Sequence, residues 1–359
     1  MRRRRILSLA LAAVLVLAAL SAVLYVAGRA LGWLPPPPTG TPSPTAGVTA
    51  TGAASPSDGP TATPGADATP TPAGLPADER AALFASIQAD LSSRLAAMPA
   101  GRYAIYYENL ANGETWGLHA GDPFVAASSI KMGIDTYLYS QVKTGMVALD
   151  EMLSFDKRAY PTGDLEYGTG TIQNEPDGTQ HSVRETARLS IRISDNCAIN
   201  MILRRLGGID AVNEAYLGTV GGTVGYRTRV EYVDYKGATK SGRARISADT
   251  LGKLAVDLYG RWSDDPETYG PLMDDLAHTS FDYSIPNLLP KEVVVAHKIG
   301  TNSAYYTEND VGIVFAAEPF VVVVTTESGS IAKAHAFTAE VAKALYDYVQ
   351  TAATGVAPG

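Results

Sequence analysis

Strands at both ends of a globular region, with helices between them, predict an α+β domain. Its expected form is an antiparallel sheet flanked by N- and C-terminal helices, with a mainly helical subdomain inserted. Three observations point there. An amphipathic run opens the region, with Leu83, Ile87, Leu91 and Leu95 spaced by four. Two β-rich runs over 103–110 and 115–119 meet at Asn112-Gly113, a strong hairpin signal. Further β-rich runs return only at 293–296, 311–316 and 320–326, ahead of a last helical run with Phe337, Val341, Leu345 and Tyr348.

What precedes the globular region differs in kind. Arg2 to Arg5 lead an uncharged apolar run over 6–28 that ends at Arg29. As a helix it would be roughly 35 Å long, enough to cross a bilayer. The arginines should stay cytoplasmic and leave the bulk outside, facing the extracytoplasmic side of the cell membrane. A cleaved signal peptide is the competing reading, but no clean Ala-x-Ala site follows the run. Residues 1–34 are thus expected to be an arginine cluster and single-pass anchor. Residues 35–76 hold twelve of the 22 prolines among Thr, Ala, Gly and Ser, a composition that cannot bury enough apolar surface to fold. That stretch is expected to be an extended spacer.

The globular unit is expected over 77–355. Removing five arginines and two aspartates before residue 77 from the chain's net charge of −8 leaves −11. An acidic unit without a basic run is a poor nucleic-acid binder. A single cysteine, Cys197, excludes an internal disulfide, and a small buried side chain is its expected role. The five histidines form no His-x-x-x-His or Cys/His cluster, so neither a metal nor another cofactor is expected.

Within the unit, a helix should run over 78–98, and Ser128 should open another that ends near Thr144-Gly145. Ser182 and Glu185 form a capping box, Ser194 is expected to cap the next helix up to Gly207-Gly208, and Ser247 another that carries Leu251, Leu254 and Leu258. Helical spacing puts Lys131 one turn beyond Ser128 on the same face, an amine beside a hydroxyl. A neutral, desolvated lysine can take the serine's proton, and a helix N-terminus can stabilise an oxyanion. Ser-x-x-Lys alone is common. Two further stretches fall where a cleft between sheet and insertion needs polar groups: Ser194-Asp195-Asn196 between two helices and Lys298-Ile299-Gly300-Thr301 at the end of a late strand.

In that order and on those elements, the three motifs resemble the signature of the penicillin-recognising serine enzymes, most closely the class A β-lactamases. The resemblance implies that Ser128 is a nucleophile forming an acyl-enzyme and that Lys131 lies on its proton path. It implies that Ser194 delivers a proton to the departing nitrogen, and that Lys298 tunes this cluster and attracts an anionic substrate group. Asn196, Gly300 and Thr301 would contact substrate, with the backbone N–H groups of Ser128 and Thr301 as the oxyanion hole. Asp195 would be structural. The substrate would be a small β-lactam or a cell-wall peptide, and the domain a monomer.

Two departures accompany the resemblance. Ile299 stands where the family usually has Thr or Ser. Arg229-Val230-Glu231 fits the family's deacylation loop, which makes Glu231 the candidate acid, but Tyr235 stands where Asn is expected. An exposed glutamate in a charged loop is the equally weighted alternative for Glu231. A peptidase or esterase that releases its acyl group slowly, or a non-catalytic ligand-binding sensor, are the alternatives to a β-lactamase.

Overall fold

The computed structural model describes residues 74–221, 229–243 and 245–358. The expected anchor over 6–28 lies outside them, as does the spacer up to residue 73. Among the described residues no helix is long and apolar enough to cross a membrane.

Helix α1 (Ala77–Ala96) leads into the strands β1 (Gly101–Asn109) and β2 (Thr115–Leu118). After the short β3 (Phe124–Val125) and a 3₁₀ turn (Ala127–Ile130) comes α2 (Lys131–Lys143). The inserted region holds β4 (Met152–Ser154), β5 (Gln180–Ser182), α3 (Val183–Arg192) and α4 (Asn196–Arg205). A hairpin of β6 (Arg229–Val233) and β7 (Thr239–Arg243) follows, then β8 (Arg245–Ile246), α5 (Ala248–Asp264) and α6 (Pro266–Ala277). The chain returns to the sheet with β9 (Val295–Asn302), β10 (Thr307–Val314) and β11 (Phe320–Ser328), and ends in α7 (Ile331–Thr354). The five-stranded sheet has the order β2-β1-β11-β10-β9, with every pairing antiparallel. The expected α+β architecture is what the chain adopts.

Both faces of the sheet are covered, which explains the unbroken apolar run of β11. Val321 and Val323 point into a core shared with α2 to α6, while Phe320, Val322 and Val324 point into a second core under α1 and α7. In β1 the alternation repeats: Ala104 and Tyr106 face the inserted helices, and Tyr103, Ile105 and Tyr107 face the terminal ones. The expected helix face of Leu251, Leu254 and Leu258 is buried, as are Phe337, Val341, Leu345 and Tyr348.

Several local expectations shift. Ser128 sits not in α2 but in the 3₁₀ turn before it. The capping serine of α3 holds, since the Ser182 hydroxyl accepts from Glu185 N at 3.1 Å. The cap of α4 is Asp195 rather than Ser194. Asp195 Oδ1 accepts from Cys197 N and Ala198 N, while the Ser194 hydroxyl is engaged by the Lys131 and Lys298 amines. β9 and β10 are longer than their β-branched runs suggested, because register with neighbouring strands extends them over polar residues.

Candidate active site

The Ser128 turn is held from two sides. Asn309 on β10 donates through Nδ2 to Val125 O at 2.9 Å and to Ala126 O at 3.3 Å. Ser129 Oγ donates to Ala126 O at 2.6 Å, and Ala127 takes a left-handed φ of 46°. β9 then packs directly on the turn at Gly300. A Cβ there would lie 2.5 Å from Ser129 N and 2.6 Å from Ala126 O, so only glycine lets strand and turn approach this closely. This approach brings the Lys298-to-Thr301 stretch beside Ser128. The stretch lies within β9 rather than at its end.

Ser194 reaches the same place by a strained backbone. Its φ is 56°, in the region that non-glycine residues seldom adopt. Its hydroxyl lies between two buried amines: Lys298 Nζ donates to Ser194 Oγ at 2.9 Å, and Lys131 Nζ to the same oxygen at 3.3 Å. Lys131 Nζ also meets Ser194 O at 2.6 Å, Asp195 O at 3.2 Å and Asn196 Oδ1 at 3.1 Å. Lys298 Nζ is shared with Ile299 O at 3.0 Å. Burial pushes the Lys298 pKa down to about 7, against the pull of the Asp310 and Asp135 carboxylates. One turn beyond Lys131, Asp135 is fully buried and bonded by Ser190 Oγ at 2.9 Å. Burial pushes its carboxyl up to about 8.

Asp195 ties two walls together. Its Oδ1 accepts from Cys197 N at 2.8 Å and Ala198 N at 3.0 Å, capping α4. Its Oδ2 accepts from Thr171 N at 2.6 Å and Ile172 N at 3.0 Å in the loop opposite. That loop passes so close that a Cβ at Gly170, φ 108°, would fall 2.2 Å from the Asp195 carboxyl. Asn196 N donates to Thr169 O at 3.0 Å. Cys197 beside them is buried, and burial pushes its thiol up to about 11, as suits an inert side chain.

Above this floor opens a cavity of about 370 Å³, lined among others by Ser128, Asn196, Thr301, Glu166, Tyr167 and Glu308. A smaller one of about 50 Å³ adjoins it, shared by Ser128, Ser194, Ile299 and Thr301. The structure thus brings Ser128, Lys131, Ser194, Asn196, Lys298, Gly300 and Thr301 together. Glu231 is not brought there. It lies exposed on β6 opposite Ser241, and neither cavity counts it in its lining. Its hairpin meets the start of β10 and the end of β11: Tyr235 N donates to Glu327 Oε1 at 3.1 Å, and the Tyr235 ring meets Tyr306 edge-on.

Sequence reasoning passed over Glu166 and Glu308. Glu308 stands opposite Thr301 in the β9–β10 register, three residues ahead of the β-rich run over 311–316. Neighbouring Tyr167 and Gly168 line the cavity as well. His297 on β9 is buried, with its Nδ1 3.0 Å from Asp310 Oδ1 and its Nε2 3.1 Å from Thr279 Oγ1. Among the described residues no group of three or more His, Cys, Asp or Glu could hold a metal ion.

Comparison with known proteins bears on the family and the fold. The family model described as Beta-lactamase enzyme family matches residues 85–349. Beta-lactamase 3 of Bacillus cereus is 28% identical over 238 residues, 65% of this chain and 68% of its own. Beta-lactamase SME-1 of Serratia marcescens is 23% identical over 230 residues, 60% and 71% of the two chains. Among solved structures, PBP-A superposes with a TM-score of 0.62 at 25% identity, covering 78% of this chain and 99% of that one. A PBP-A mutant held as an acyl-enzyme with penicillin G gives a TM-score of 0.63 at 23% identity over 75% of this chain and 97% of its own.

Proposed function

The chain belongs to the Beta-lactamase enzyme family, and from that premise we propose that its domain is a serine hydrolase that opens a β-lactam amide through an acyl-Ser128 intermediate. The observation that carries this is the Ser194 hydroxyl held between the Lys131 and Lys298 amines in a cavity that Ser128 lines. Ser128 Oγ attacks the amide carbon, and Lys131 lies on the path of its proton. Ser194 delivers a proton to the departing nitrogen, without which an amide nitrogen leaves badly. Lys298, donating to Ser194 Oγ, resupplies that proton, and its charge holds an anionic intermediate. Asn196, Gly300 and Thr301 orient the substrate, and the N–H groups of Ser128 and Thr301 take the oxyanion. Peptide mapping after incubation with penicillin G tests this. The adduct should sit on the peptide holding Ser128 and be absent from Ser128→Ala; no adduct in the unmodified protein would overturn it.

A second reading, slow release of the acyl group as in a peptidase or esterase acting on cell-wall stems, is favoured by one observation. Glu231, the residue expected to position the deacylating water, lies on an exposed hairpin outside the cavity lining. A persistent acyl-enzyme supports this reading, and rapid penicillin turnover eliminates it. We further take the domain to be a monomer facing the extracytoplasmic side, tethered by the run over 6–28 behind its arginines. Protease accessibility on intact cells tests the orientation.

A further inference from the structure

The charge of the Ser128 cavity runs against an anionic substrate. Two carboxylates line it, Glu166 and Glu308, and among the described residues no lysine or arginine does. The two lysines of the site are fully buried beneath, with Nζ groups engaged by Ser194 and its neighbours. Glu308 is fixed in place: it lies opposite Thr301 in the β-ladder, and His335 Nε2 bonds its Oε2 at 3.0 Å. The His335 ring is itself packed on Tyr283, with centroids 4.4 Å apart. A carboxylate held at 7% exposure cannot swing into solvent to avoid a like charge, and a cleft with low-dielectric walls focuses its field. The domain's −11 adds to the same field.

We propose that this cavity selects acyl donors carrying an amine or guanidinium over those carrying a carboxylate, with Glu308 as the specificity-determining residue. The proposal rests on the acyl-Ser128 reading above and names its substrate class. On such a donor the new bond joins Ser128 Oγ to the carbonyl carbon, the bond to the leaving group breaks, and the leaving group departs with a proton. Donors with a carboxylate in the cavity, penicillins among them, enter against Glu308 and are acylated more slowly.

Binding and chemistry are separated by measuring affinity on full-length Ser128→Ala, using the thiobenzyl esters of N-acetyl-lysine, N-acetyl-norleucine and N-acetyl-glutamate. The lysine ester should bind tightest and the glutamate ester weakest, with at least about a tenfold span. Adding Glu308→Gln should bring that span close to one, and in the otherwise unmodified protein it should speed acylation by penicillin G. Glutamate binding as tightly as lysine, no detectable binding of the lysine ester, or an undiminished span in folded Glu308→Gln would overturn the proposal. If Glu308→Gln fails to fold, the order of the three esters decides alone. Loss of Ser128 acylation with the charge order intact would sink only the acyl-enzyme reading, whereas acylation without the charge order would sink only this one.

Discussion

The floor of the cavity and the β6–β7 hairpin are opposites in construction. On the floor, Lys131, Ser194 and Lys298 are buried, sit on or between regular elements, and bond one another within 3.3 Å. The hairpin packs by Tyr235 against Tyr306 and leaves Glu231 in solvent. A group built into a packed core keeps its geometry through the reaction, whereas one on an exposed ribbon holds a water only with further support. The difference teaches that the proposed acyl transfer rests on the floor and not on the hairpin, so substitutions in the two should have very unequal effects.

The largest effect belongs to the nucleophile. Ser128→Ala should abolish the adduct and lower turnover by roughly 10⁶-fold, as removal of other catalytic serines does, read as the rate of product formation. Lys298→Met should cost roughly 10²–10⁴-fold, the range of a proton-transfer partner, with the fold retained by circular dichroism. Equal activity in Lys298→Met would break the account of the floor.

Asp195→Ala removes acceptors for four backbone N–H groups that join α4 to the cavity wall. It should destabilise the domain by about 2–4 kcal/mol, a cap plus two further buried bonds, measured by denaturant titration. A loss below about 0.5 kcal/mol would mean the wall stands without it.

Asp135 supplies a test by pH. Its carboxyl, raised to about 8, keeps a proton that the unfolded chain has released above its ordinary value near 4. Stability is therefore lost as pH rises from about 4 to 8, and Asp135→Asn should gain thermal stability at pH 8 but not at pH 4. Burial lowers the pKa of Lys298 to about 7. Acylation uses the Lys298 ammonium, so its rate should fall as pH rises through about 7; the Asp135 carboxyl still holds its proton there, so Asp135→Asn should leave that fall in place. A fall moved to lower pH would show that Asp135 is ionised at that pH.

The smallest effect is expected on the hairpin. Glu231→Gln should change the release of the acyl group by no more than about twofold, and a tenfold loss would return Glu231 to the chemistry.

Much of this was legible from local signals. Asn112-Gly113 marked the hairpin of β1 and β2, the spacing by four marked α1, and three short motifs named the residues of the floor. What was not legible depends on partners distant in sequence. Ser194 looks like a cap, yet Asp195 takes that place because its second oxygen can also reach Thr171 and Ile172. Glu308 looks like turn polarity until pairing with β9 and β11 extends β10 over it. Glu231 fits a motif by order alone, while its surroundings are set by where the hairpin packs.

The most direct test of the central contrast is time-resolved intact mass spectrometry of the protein with excess penicillin G. An adduct of one penicillin per chain should accumulate toward full occupancy before appreciable hydrolysed product appears. Product released steadily with no accumulated adduct would eliminate slow release, and no adduct at all would contradict the account.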